Sequence, residues 1–269
     1  MFDIRTIDLR ALNSMTGYPS IPTYHDLDPA NGALKETGLR DRFVELDATV
    51  CASEKVNGAN GRIIYLPDGS YIIGSRDELL YRRGDIVANP KLGIVEALRP
   101  IAEQADRDLW NDENIVVCYL EVYGGKKITP ASRNYTSGQQ LGARLFDVVE
   151  VHADEHAELL TQPVERIASW RQHGGQQFWG ERQLYLMADE LSVPPTPRLG
   201  RLSPTELPTT VEETHEWLER IVPHTLASLE DGLLGPAEGV VLRTDGRGLI
   251  AKVRFENYRR TAQVRGGAR

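Results

Sequence analysis

The sequence predicts an α+β fold with mostly antiparallel sheets, on three observations. Apolar runs are separated by Asn-Gly and Asp-Gly pairs, the chemistry of tight reversals between antiparallel strands. Helical periodicity gathers in a few segments, most of them between residues 155 and 231, and does not alternate regularly with strands. The length of 269 residues, 41% hydrophobic and 26% charged, suffices for one large domain or two small ones with proper cores.

Residues 1–43 mix Pro, Gly and Asp and read as an irregular lead-in with one short helix, packed on the core. From 44 to 76, "VELDATVCASEKVNGANGRIIYLPDGSYIIGSR" contains strands broken by turns. Asn57-Gly58 and Asn60-Gly61 carry the local signature of a hairpin, with Lys55 close beside them between strand residues Val50 and Ile63. In "NPKLGIVEALRPIAEQADRDLW" the residues Ile94, Val95, Leu98, Ile101, Ala102, Ala105 and Leu109 recur at helical spacing, with a bend expected at Pro100. "NIVVCYLEVYGG" and "ARLFDVVEV" read as buried strands. Helices are expected near 155–173, 181–191 and 212–231, separated by the Pro-rich "SVPPTPRLGRLSPTELP". "AEGVVLRTDGRGLIAKVRFENY" is a hairpin around Asp245-Gly246 and Gly248. The expected organisation is a lead-in over 1–43, a main domain over 44–258 and a basic tail over 259–269.

No run of 18 apolar residues occurs, and the N-terminal "MFDIRTIDLR" carries charges where a signal peptide needs an apolar segment, so a soluble, cytoplasmic protein with no membrane partner is expected. Cys51 and Cys118 lie in apolar strand contexts without metal-ligand spacing and are expected as buried thiols. The net charge of -8 argues against coating nucleic acid by bulk electrostatics. Its distribution is uneven: Val240 to Arg269 holds eight basic residues against two acidic, whereas Glu150 to Gly239 holds sixteen acidic against six basic. A basic C-terminal segment is suited to phosphates, or is simply a solvated tail.

Charged residues also stand inside strand-forming stretches: Lys55, Glu121 in "YLEVYGG", Glu238 in "AEGVVLR", and Lys252 and Arg254 in "AKVRF". Two cations at i and i+2 of a strand point to one face and call for an anion. Carboxylates buried among strand-formers need partners too. Together these groups suggest a site for a triphosphate, its metal and a nucleophile.

The ordered series "EKVNGANGR", "GSRDE", "YLEVYGG", "LFDVVE", "AEGVVLR" and "AKVRF", over roughly residues 50–255, resembles the motif set of covalent lysyl nucleotidyltransferases: ATP-dependent DNA ligases, RNA ligases and mRNA capping enzymes. The Lys-x-Asn-Gly element is Lys55 to Gly58, and the longer form Glu-Lys-x-x-Gly-x-Asn is similar to the RNA ligase 2-like branch. The resemblance implies an antiparallel-sheet adenylation domain. It implies that Lys55 attacks the α-phosphate of ATP to form a lysyl-AMP phosphoramidate, releasing pyrophosphate. Lysine is nucleophilic only when neutral, and an ordinary side-chain pKa of about 10.4 calls for neighbouring cations or desolvation. By the same resemblance Lys252 and Arg254 supply those cations and clamp the α-phosphate, Asn57 and Gly58 complete the nucleophile element, and Glu121 receives the ribose hydroxyls. Phe146 stacks on adenine, and Glu238 engages Mg²⁺ or Mn²⁺, largely through water. Arg76 contacts ribose or phosphate, Asn60 assists the joining steps, Asp147 and Arg243 line the pocket, and the backbone around Glu54 reads the adenine edge.

The chain departs from the pattern twice. Arg254 stands where the family has a second lysine, which keeps the charge and changes the geometry. Only seventeen residues follow Lys252, so neither the OB-fold of DNA ligases and capping enzymes nor the helical C-terminal domain of RNA ligase 2-like enzymes is expected, and a partner protein is one way to replace it. The expected function is an ATP-dependent RNA ligase acting on RNA 5′-phosphate and 3′-hydroxyl ends. The rival readings are a relative that acts on DNA or stops after AMP transfer, and a non-catalytic ATP/AMP-binding module serving a partner.

Overall fold

The computed structural model describes residues 2–82, 85–86, 93–105, 113–126 and 128–267. In chain order its elements are α1 (Leu9–Met15), β1 (His25–Leu27), β2 (Leu34–Gly38), α2 (Arg40–Leu46), β3 (Val50–Lys55), β4 (Ala59–Tyr65), β5 (Tyr71–Ser75), β6 (Leu79–Arg82), β7 (Asp85–Ile86) and α3 (Ile94–Gln104). There follow β8 (Ile115–Gly124), β9 (Leu141–Val151), α4 (Ala153–Leu159), α5 (Val164–Gln172), α6 (Glu181–Glu190), β10 (Arg198–Leu202), α7 (Val211–Ile221), β11 (Gly239–Thr244), β12 (Ile250–Arg254) and α8 (Phe255–Gly267). All strand pairs within the sheets are antiparallel, as the turn chemistry predicts.

The chain divides into two compact units. The first comprises Met1–Ser20, Gly58–Ser132 and Gly138–Pro195. Its six-stranded sheet runs β7-β6-β5-β4-β8-β9 and is apolar on both faces. Ile63, Ile73, Val116 and Cys118 pack with Ile94, Leu98 and Leu184, while Ile64, Ile72, Val117 and Tyr119 pack with Leu12, Met15 and Ile167. Double-sided burial explains why β8 reads as a continuous apolar run.

The second unit comprises Ile21–Asn57, Arg133–Ser137 and Thr196–Arg269. Its four-stranded sheet runs β10-β3-β11-β12, beside a β1-β2 ribbon. One sheet face buries Val50, Ala52, Val240, Leu242, Ala251 and Val253 against Phe43, Trp217, Leu218, Phe255 and Tyr258. The alternation in β3, β11 and β12 leaves their other residues for the opposite face.

The hairpins at Asp68-Gly69 and at Asp245 to Gly248 form as expected, and both cysteines are buried. Asn57-Gly58 does not make a hairpin: β3 pairs with β10 and β11, whereas β4 pairs with β5 and β8, so the chain changes sheet there, and Asn60-Gly61 lies inside β4. The helix expected over 212–231 stops at Ile221, because Pro223 disfavours helical backbone at Val222. The helix over 155–173 is two helices, with Pro163 at the start of the second. β1, β2 and β10 were hidden among Pro and Gly residues; β10 is an edge strand, where proline is tolerated. The boundary expected at 258/259 falls inside α8, which continues to Gly267. Leu109 and the flanks 89–92 and 106–110 of the helix expected around α3 lie outside the described residues, as does Arg269. No helix among the described residues is long and apolar enough to cross a membrane.

Candidate active site

Lys55 ends β3 and points to the face opposite the core of the second unit. Directly across stand Gly239 of β11 and, beyond it, Arg254 of β12. One step along, Ser53, Val241 and Lys252 form the next row, and Cys51, Arg243 and Ile250 the one after. Opposed residues of antiparallel strands share a face. The register therefore gathers Lys55, Lys252, Arg254 and Arg243 on one surface.

Glu238, immediately before β11, sits among them. Its Oε2 lies 2.8 Å from Lys55 Nζ and its Oε1 2.9 Å from Arg254 Nε. The carboxylate is only 11% exposed, so pairing offsets part of its desolvation. Arg254 also reaches Glu256 at 2.6 Å. Gly239 is required by crowding: a Cβ there would meet the Val253 carbonyl oxygen at 2.0 Å. Lys252 is held through its backbone, its N–H donating to Pro22 O and its carbonyl accepting from Tyr24 N. Arg243 is 4% exposed.

The strand end around Lys55 is anchored by residues far away in sequence. The buried Tyr135 hydroxyl accepts the Asn57 backbone N–H at 2.7 Å. Glu54 turns its side chain away from Lys55, into the core, where it accepts hydrogen bonds from the Thr225 hydroxyl and the Leu226 N–H. The segment from Thr225 to Glu238 is stitched to Arg133–Ser137: Leu229 N donates to Tyr135 O, and Glu230 accepts from the Thr136 hydroxyl and the Ser137 N–H.

In the first unit, Gly58 N donates to Glu121 Oε1 at 2.8 Å, and a Cβ on Gly58 would meet Val122 O at 2.3 Å. Asn60 pairs across from Glu121, and its Oδ1 is buried with no hydrogen-bond partner among the described residues. The register shift between Tyr119 and Leu120 makes Phe146 an inserted residue of β9. The Phe146 ring meets Tyr18 edge-on at 5.0 Å and lies near-parallel to Tyr119 at 6.2 Å. Asp147 is buried and accepts from the Tyr18 hydroxyl at 2.5 Å. Arg76 follows β5 and is well exposed, with Asp77 4.0 Å away.

Of the residues expected to form the site, the second unit thus joins Lys55, Glu238 and Arg254 in direct contact and sets Lys252 and Arg243 on their face, with Asn57 tied beside them. The first unit joins Gly58 to Glu121, across from Asn60, and Phe146 and Asp147 around Tyr18. Arg76 joins neither group. Sequence reasoning missed Tyr135, Thr225 and Glu230, which act through hydrogen bonds over long separations. No group of three or more His, Cys, Asp or Glu able to hold a metal ion occurs among the described residues.

No curated protein sequence matches this chain. Its fold resembles Naegleria gruberi RNA ligase: a mutant with ATP and Mn superposes with a TM-score of 0.55 at 15% identity, over 91% of this chain and 62% of that one. The same ligase with PPi gives 0.54 at 13% identity over 91% and 64%, and a mutant with AMP and Mn gives 0.53 at 13% over 91% and 61%. This chain therefore spans less than two thirds of the length of these relatives. The RNA ligase family model matches residues 48–254, a span that contains every residue expected to form the site, and on that match the chain belongs to the RNA ligase family, a branch of the nucleotidyltransferase ligases.

Proposed function

We propose that the chain is an ATP-dependent RNA ligase that works through AMP linked covalently to Lys55. The observation that carries this reading is the Lys55–Glu238–Arg254 contact on a sheet face that also bears Lys252, within a chain of the RNA ligase family. The nucleotides and Mn bound by the Naegleria ligase structures support the use of ATP and a divalent cation. The proposed catalytic module is 44–258.

In the first step Lys55 Nζ, having lost a proton, attacks the α-phosphorus of ATP. An N–P bond forms, the bond from the α-phosphorus to the bridging oxygen breaks, and pyrophosphate leaves. Lys252 and Arg254 meet the charge growing on the transferring phosphoryl group. A 5′-phosphate oxygen of RNA then attacks the same phosphorus, the N–P bond breaks, and Lys55 is restored. Finally a 3′-hydroxyl attacks the activated 5′-phosphorus, forming the phosphodiester and releasing AMP.

Glu238 is the residue that would hold Mg²⁺ or Mn²⁺. Such hard cations keep several waters and are held by one or two carboxylates plus substrate phosphates, and Glu238, whose oxygens lie on Lys55 and Arg254, supplies one such carboxylate. When bound, the ion would neutralise phosphate charge. Glu121 and Asn60 would receive the ribose, Phe146 would carry the adenine, Asp147 and Arg243 would line the pocket, and Arg76 would reach the nucleotide from its loop. The buried Asn60 oxygen, which has no hydrogen-bond partner among the described residues, supports a role in meeting a ligand donor.

Incubation with α-labelled ATP and a divalent cation, followed by a denaturing gel, tests the reading. An acid-labile label on wild type and none on Lys55→Ala is expected. Absence of label on wild-type protein shown not to be already adenylated would overturn it.

A further inference from the structure

We propose that Tyr18 is a positioning residue for the adenine platform, holding the Phe146 ring and the Asp147 carboxylate in the geometry that meets the base. The inference rests on the ligase reading, which gives Phe146 the adenine, and it adds a residue that lies outside all six ordered motifs.

As the inserted residue of β9, Phe146 stands outside the ladder register, so strand pairing does not set the direction of its ring. Tyr18 meets that ring edge-on, with centroids 5.0 Å apart and planes at 89°. It also meets Tyr119 at 4.9 Å and Phe178 at 5.8 Å, with planes at 66° and 83°. Edge-to-face contacts are directional, because the positive rim of one ring is drawn to the negative face of another. The Tyr18 hydroxyl donates to Asp147 Oδ2 at 2.5 Å, and Asp147 stands opposite Tyr119 in the sheet. One side chain thus grips two consecutive residues of β9. Phe146 stays half-buried, with surface left for a base.

Tyr18 is held in turn. Helix α1 ends at Met15, and the carbonyls that run from its last turn towards Tyr18 are met by donors from distant parts of the chain. Arg62 of β4 donates to Asn13 O at 3.2 Å, and Arg171 of α5 to Ser14 O at 2.5 Å. Gln176 donates to Met15 O and Gly17 O, both at 3.0 Å, and the Tyr119 hydroxyl to Thr16 O at 3.0 Å. Arg62 is 1% exposed and Gln176 5%, so costly polar burial is spent on fixing this short segment. Core packing alone would be served by apolar side chains at positions 18 and 147. A buried carboxylate bonded to a tyrosine that touches three other rings calls for a further use, and the base platform supplies one.

The test uses the whole, non-adenylated chain with Mg²⁺, measuring equilibrium binding of α,β-methylene ATP and the rate of lysyl-AMP formation at saturating ATP. Tyr18→Leu should weaken binding of the analogue about tenfold, within what one base–aromatic stack supplies, and leave the saturated rate within about twofold. Tyr18→Phe, which keeps the ring edge and removes the hydroxyl, should restore most of the affinity. In a Phe146→Ala background Tyr18→Leu should change the affinity less than about twofold, because the ring through which it acts is gone. Equal losses in the two backgrounds, a fall in the saturated rate with affinity unchanged, or no binding of the analogue by wild type would overturn the proposal. Should Tyr18→Leu fail to fold, Tyr18→Met, whose flexible side chain fills irregular gaps, takes its place under the same expectations. Failure of wild type to form lysyl-AMP would instead overturn the ligase reading, and the analogue-binding cycle would still decide the role of Tyr18.

Discussion

The backbone N–H of Asn57 is held by a hydroxyl 78 residues further along the chain, that of Tyr135. Tyr135→Phe keeps the ring in its buried place and removes that acceptor, leaving the N–H beside Lys55 unpaired at a cost of about 1 kcal/mol. The lysyl-AMP formation rate, measured per folded molecule, should fall several-fold with only a small drop in melting temperature. A rate equal to wild type would show that Tyr135 serves stability alone. Tyr135 was not legible in the sequence, because nothing in "SRNYTSG" marks a partner so remote. Lys55, Glu238 and Arg254, which the structure brings into contact, were legible, since charges at alternating positions in apolar strands announce a shared polar face. The side-chain direction of Glu54 was not, because the residue next to Lys55 must face the other way and finds its partner at Thr225.

At the scale of elements, local turn and helix chemistry predicted most strands and failed where the tertiary arrangement overrode it. Asn57-Gly58 has hairpin chemistry yet joins two sheets, and β10 forms despite three nearby prolines because it lies at a sheet edge. The β1-β2 ribbon, unseen in the sequence, brings a titrating group into a core. His25 of β1 is 2% exposed, and its Nε2 lies 3.0 Å from the Thr214 hydroxyl of α7. Burial pushes its pKa below the usual 6.5, outweighing the upward pull of Glu36 and Asp26. The folded chain therefore holds His25 neutral, while the unfolded chain takes up a proton as pH falls through about 6.5. The stability is present above that pH and is lost on acidification towards the lowered folded pKa. Melting temperature should begin to drop as pH falls below about 6.5, and the drop should be smaller in His25→Gln. Equal pH slopes in the two proteins would exclude His25 as the cause.

For the whole molecule, charge is sorted between surfaces. The chain carries 39 acidic and 31 basic residues, yet Lys55, Lys252, Arg254 and Arg243 share one face of one sheet, with Glu238 among them. The basic C-terminal run contributes less than its composition suggested, because Arg265 of α8 is bound to Glu36 and Glu212. Net charge alone predicts repulsion of RNA, and salt, by screening it, would then strengthen binding or leave it unchanged. A local cationic face predicts the opposite, since each phosphate contact releases counterions and steepens the loss of affinity with salt by about 0.7 on a log-log scale. Three or four contacts give a slope between about -2 and -3, within reach of an anisotropy titration over a few-fold range of KCl. A slope near zero or positive would mean that the acidic remainder of the molecule dominates and that RNA is not gripped by this face. A slope in the expected range would show that four side chains aligned by strand register outweigh the net charge of the whole chain.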